Sequence, residues 1–147
     1  SPLSTGATGV FRDHPECYDD EAKAFWREEG DVFGRGIVKY ITEVAQSKTL
    51  NLIREPCVIL SASGMCEAGR ILHHLKNNIE DTRNTIAIVG FMAENTLGRR
   101  LVERESEVKI FGQMYKVGAR IEKLNGFSAH ADTSELSRLL EPLASKL

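Results

Sequence analysis

Cys57-Val58-Ile59-Leu60-Ser61-Ala62-Ser63-Gly64-Met65 is the stretch on which the fold turns. Four apolar residues follow Pro56, with the length and composition of a strand buried in a parallel sheet. The run stops at a Ser/Gly turn, and the hydrophobic period then changes. Ala68, Ile71, Leu72, Leu75 and Ile79 fall on one face of a helix predicted over residues 66–78. The unit is strand, polar turn, helix.

The same order recurs downstream. Asp81-Thr82-Arg83-Asn84 is a turn, and Thr85-Ile86-Ala87-Ile88-Val89 is a second buried strand. Gly90 and the loop 91–95 lead to a helix over 96–104. Two βα units in succession predict right-handed crossovers and an α/β fold, three-layer, with a mainly parallel sheet. Residues 109–115 then predict a hairpin with its turn at Gly112-Gln113, whose return strand runs over 115–121. That strand leads to Gly126-Phe127-Ser128-Ala129-His130-Ala131-Asp132 and a helix over 133–147.

Upstream, Ser4 or Thr5 can cap a short helix that His14-Pro15 ends. Residues 19–29 predict a helix with Asp19, Asp20 and Glu21 at its positive end, Ala22, Phe25 and Trp26 on one face, and Gly30 closing it. Residues 38–44 are rich in β-branched and aromatic side chains and predict a strand. A short helix follows over 47–53.

In a parallel sheet, loops after strands share the edge where α/β folds hold ligands. Three loops meet that description: 61–65, 91–96 and 126–132. Ser61, Ser63 and Gly64 offer hydroxyls and close backbone approach. Asn95 and Thr96 open a helix whose first amides could meet a phosphate. Helix capping explains Ser63-Gly64 and Asn95-Thr96 equally well. In the third loop, His130 stands beside Ser128 and Asp132, and its imidazole can exchange a proton near neutral pH. None of these loops has the glycine pattern of nucleotide triphosphatases or dinucleotide-binding enzymes.

Composition excludes other classes. The 147 residues are 41% hydrophobic and 27% charged, with a net charge of −2, as in an ordinary globular domain and without the basic excess of a general nucleic-acid binder. Any phosphate contact is therefore local. Cys17, Cys57 and Cys66 are too few for a disulfide framework or a cysteine zinc site, and they fit a reducing cytoplasm. No apolar run is long enough for a bilayer. His73 and His74 are adjacent on a helix and cannot share a metal, and no other metal-ligand cluster exists in the sequence. The chain starts at Ser1-Pro2 without Met and stops just past an apolar helix face, so an excised piece of a longer protein is expected.

Taken together, Ser1-Pro2-Leu3-Ser4, residues 58–65, Val89-Gly90-Phe91 with Thr96-Leu97-Gly98, and residues 126–132 resemble the β-CASP group of metallo-β-lactamase-fold nucleases. The likeness is greatest to bacterial and archaeal RNA-processing members, and Phe127-Ser128-Ala129-His130-Ala131-Asp132 is its most specific part. The resemblance implies a cap domain over residues 1–107 and a return segment over 108–147 that rejoins a nuclease domain. It implies a zinc-dependent ribonuclease in which two zinc ions activate the attacking hydroxide. His130 would be the general acid, Ser128 would bond a phosphate oxygen, and Asp132 would orient the loop. Ser61, Ser63, Gly64, Asn95 and Thr96 would line the RNA path. The His-x-His-x-Asp-His zinc motif is absent from these residues, so both ions would be held elsewhere and the 147 residues alone would be inactive. Many relatives carry Gly at the position of Asn95, which tolerates the same left-handed backbone. RNA is the expected partner, a homodimer is compatible, and a membrane is not expected. A non-catalytic phosphate- or RNA-binding module, and a DNA-processing nuclease of the same group, are the alternatives.

Overall fold

The computed structural model describes residues 2–34, 36–127 and 131–144. Among the described residues six α-helices and four strands follow in order: α1 (Pro2–Asp13), α2 (Asp20–Glu29), α3 (Val44–Thr49), α4 (Arg70–Asn78), β1 (Thr85–Ile88), α5 (Leu97–Val102), β2 (Glu107–Ile110), β3 (Gln113–Lys116), β4 (Arg120–Lys123) and α6 (Thr133–Ala144). The class is α/β, and β1 pairs with β4 in parallel, Thr85 opposite Arg120 and Ile88 opposite Lys123. β2 and β3 form a separate antiparallel hairpin.

The helix ends follow the sequence chemistry. Asp19 caps α2 by accepting the Ala22 amide at 2.8 Å, and Gly30 closes it at φ 79°. Next to this corner, the Arg12 guanidinium grips Asp31 at 2.6 Å and lies 5.0 Å over the Tyr40 ring. The core lies where α4 and α5 meet the two sheets. Cys66, Leu75, Ile79, Leu97, Leu101, Val108 and Ile110 are buried there, packed against Ile71, Leu72, Ile86, Tyr115, Val117 and Ile121.

Several elements depart from expectation. Residues 57–60 are extended but belong to no strand, and Val58 and Leu60 are 86% and 81% exposed. An apolar β-branched run supplies only a preference; a strand also needs a ladder partner, and no described strand pairs with these residues. β1 is likewise not buried on both faces. Ile88 is buried and Ile86 partly so, whereas Thr85 and Ala87 are exposed. Residues 38–42 form no strand either, because Arg70 reaches back from α4 and donates to the carbonyls of Ile41 at 3.0 Å and Thr42. A side chain there takes acceptors that a neighbouring strand would otherwise use.

The helix expected from residue 66 begins at Arg70 instead. Ser63, Cys66 and Gly69 have φ of 72°, 60° and 80°, and left-handed residues interrupt a right-handed helix. The hairpin turn is Phe111-Gly112, one residue earlier than expected, with both residues at positive φ as a type I′ turn requires. The single strand expected over 115–121 is split. Gly118 and Ala119 leave β3 and both donate to the Ile79 carbonyl, at 3.0 and 2.8 Å, before β4 starts against β1.

His73 and His74 take different surroundings, as their adjacency on α4 dictates. The His73 ring lies against Phe111 with centroids 4.7 Å apart. His74 is buried, with Nδ1 2.9 Å from Asn51 Oδ1 and Nε2 3.2 Å from Ser47 Oγ. An amide oxygen can only accept, so Nδ1 carries the proton and the Ser47 hydroxyl donates to Nε2. Burial, then His73 and Arg70, hold the His74 pKa below its ordinary value. It is a structural histidine that ties α3 to α4.

Candidate functional site at one edge of the parallel sheet

Parallel pairing fixes the first part of the geometry. Ile88 ends β1 opposite Lys123 at the end of β4, and the ladder continues one residue further as Leu124 donates to the Ile88 carbonyl at 2.8 Å. The 91–96 loop and the 126–132 loop therefore leave the same sheet edge. The third loop, 61–69, joins them through α5. Gly98 donates its amide to the Met65 carbonyl at 3.0 Å, and the Glu67 carboxylate accepts the Leu97 amide. Gly98 makes this crossing close: a Cβ there would stand 2.3 Å from Met92 Sδ, which would have to move, and 3.1 Å from Met65 O.

The bonds at α5 revise one expectation. A helix presents its first amides to an anion only if nothing else takes them. Here Glu67 takes Leu97, Met65 takes Gly98, and the Thr96 hydroxyl accepts from Arg99 at 3.2 Å while donating to Ala93 at 2.7 Å. The protein thus supplies its own anion, and the start of α5 is closed to phosphate. The same holds at α6. Asp132 accepts the Ser134 and Glu135 amides at 2.8 and 2.9 Å, and Glu135 returns the bond by accepting the Asp132 amide at 2.9 Å. This reciprocal capping box spends amides that a helix start could otherwise offer to an anion. The bonds from Ser134 and Glu135 also hold the Asp132 carboxyl below the usual carboxylate range.

The remaining candidates divide by position. Ser63 Oγ accepts the Ala68 amide at 3.3 Å, so its hydroxyl braces its own loop. Ser61 is partly buried in the same loop. A Cβ on Gly64 would meet nothing within 4 Å, so the folded chain itself does not demand glycine there. Asn95 is exposed at φ 65°, the left-handed conformation expected of it. Phe91 and Phe127, on two of the three loops, are 68% and 73% exposed. Ser128 and His130 lie outside the described residues.

Glu67 and Met65 are the residues sequence reading missed. An acidic residue shortly after a Ser/Gly turn was visible, but its partner thirty positions away was not. Among the described residues no group of three or more His, Cys, Asp or Glu could hold a metal. Burial pushes the pKa of the Cys66 thiol up to about 11, so it stays protonated in the core.

These features define an α/β domain with loops gathered at one edge of its parallel sheet, and the comparisons give its family. Residues 1–101 match the Beta-Casp domain model, and residues 114–146 match the Zn-dependent metallo-hydrolase RNA specificity domain. The chain belongs to the β-CASP family. It is similar to "Ribonuclease TTHA0252" of Thermus thermophilus, 32% identical over 136 residues, covering 92% of this chain and 32% of that protein. It also resembles the "RNase J-like protein" of Methanocaldococcus jannaschii, 31% identical over 93% of this chain and 30% of the relative. A "Transcription termination factor FttA" of Cenarchaeum symbiosum is 34% identical over 96% of this chain and 23% of the relative. The chain thus spans about a third or less of the length of these curated relatives.

Proposed function

We propose that this chain is the RNA-clamping part of a zinc-dependent ribonuclease that hydrolyses RNA phosphodiester bonds. The observation that carries the reading is the gathering of three loops at one sheet edge in a chain matching a β-CASP model and an RNA specificity model in succession. Residues 1–107 form the cap, and 108–147 the segment that rejoins the nuclease domain. RNA runs along the loop edge. Gly64 and Asn95 let the backbone approach it, Ser61, Ser63 and Thr96 shape that wall, and Ser128 bonds a phosphate oxygen. His130 is the general acid that protonates the leaving oxygen, and Asp132 holds its loop by capping α6.

The described residues do not fit a zinc site, so the two zinc ions are held by residues outside this chain. The enzyme works in the cytoplasm, consistent with three free cysteines. No helix among the described residues is long and apolar enough to cross a membrane. Leu136, Leu139 and Leu140 leave an apolar stripe exposed on α6 that a second copy could cover, and sedimentation velocity reads that state.

The test is His130→Ala in the zinc-loaded longer protein, assayed on single-stranded RNA and on DNA of the same sequence. Turnover on RNA is expected to fall by roughly 10²–10⁴, the weight of general acid–base catalysis. Unchanged turnover removes His130 from the mechanism. Preference for DNA makes the protein a DNA-processing member, and absence of cleavage by the unaltered protein leaves a binding module.

A further inference from the structure

We propose that Glu67 is a positioning residue, tethering the 61–69 loop to the start of α5 and so fixing the two loops as one RNA-facing wall. The proposal rests on the RNA-facing reading of that edge given above. Leu97 and Gly98 are buried, and their amides have no acceptor within their own helix. Both find one in the 61–69 loop, thirty or more residues earlier: the Gly98 amide in a backbone carbonyl, the Leu97 amide in the Glu67 side chain. Glu67 is thus the side-chain half of a two-bond seam.

The seam has work to do because both loops are held in sparsely populated conformations. Ser63 and Cys66 in one, and Asn95 in the other, are non-glycine residues at positive φ. Such residues keep their geometry only when their surroundings determine it. Ser61, Ser63 and Gly64 lie on one side of the seam, and Asn95 and Thr96 on the other. Loss of the tether lets the two groups drift apart, and no bond of the seam involves the 126–132 stretch that carries His130. The deficit therefore belongs to substrate binding rather than to turnover.

A bland alternative predicts the opposite sign. The carboxylate is a negative charge on a surface meant for phosphate, and removing a charge that only repels would tighten RNA binding.

The experiment is steady-state cleavage of single-stranded RNA by the zinc-loaded longer protein, comparing Glu67→Ala and Glu67→Gln. Glu67→Ala should raise KM about tenfold, the weight of one hydrogen bond to a charged group, with kcat changed less than about twofold. Glu67→Gln keeps an oxygen that accepts the Leu97 amide and should restore KM. A KM that is unchanged or lower in Glu67→Ala overturns the proposal. So does a Glu67→Gln variant no better than Glu67→Ala, since the charge rather than the acceptor would then be at issue. Hydrogen exchange at residues 97–98, measured without RNA, separates the tether from the functional reading. It should quicken in Glu67→Ala and not in Glu67→Gln. If the unaltered protein cuts no RNA, the functional reading fails while the exchange result still decides the tether; unchanged exchange in Glu67→Ala overturns it.

Discussion

Gly118 shows how one residue fixes a chain path. Its φ is ordinary, so glycine is not there for backbone freedom. A Cβ would stand 2.3 Å from the Glu80 carbonyl oxygen and 3.0 Å from its carbon, and backbone cannot swing aside as a side chain can. Gly118→Ala should therefore destabilise the fold by about 1–3 kcal/mol, as overpacking does, and lower the urea midpoint accordingly. Cys66 makes a second case. Part of the 61–69 loop with its side chain buried in the core, and with its pKa pushed up to about 11, it holds almost no thiolate at pH 8. In the folded 147-residue chain a thiol reagent at pH 8 should label exposed Cys17 and Cys57 quickly and Cys66 only on unfolding, a difference read by mass spectrometry.

Among elements, α6 depends most visibly on local chemistry. Its first turn is held by the Asp132–Glu135 box, and Pro142 lies inside the helix near its far end. Asp132→Ala should lower the helical signal in circular dichroism at pH 7. The sign with pH follows from the carboxyl's depressed pKa. Its contribution is fully present above the ordinary value of 3.8 and is lost as pH falls through the lower folded-state value. The unaltered chain should thus lose the extra helicity in acid, and Asp132→Ala should show no such step. Residues 57–60 are the converse case, an apolar run whose local preference was clear and whose ladder partner is missing among the described strands. A strand is a property of two segments, and a capped helix start of one.

At the scale of the whole molecule, the stretches after β1 and β4 leave one sheet edge, and no group of metal ligands gathers among the described residues. Metal analysis of the purified 147-residue chain should accordingly find no stoichiometric zinc, and tightly held zinc would show that residues such as His130 form a site of their own. The edge itself arises from a single parallel pairing. Because Ile88 and Lys123 are partners, the loops after β1 and β4 must emerge together, whatever their sequences. The Glu67 and Met65 bonds then add the third loop.

The sequence by itself determined what neighbours along the chain can decide. The caps at Asp19 and Thr96, the stop at Gly30 and the chemistry offered by His130, Ser128 and Asp132 all depend on residues within a turn or two of one another. Only the tertiary structure decided where the strand over 115–121 breaks, why residues 38–42 stay irregular, and which groups claim the first amides of α5. Each of these depends on an atom 28 to 39 positions away: the Ile79 carbonyl for Gly118, the Arg70 guanidinium for Thr42, the Glu67 carboxylate for Leu97. Free backbone donors look alike in a sequence, and only folding shows which are already spent.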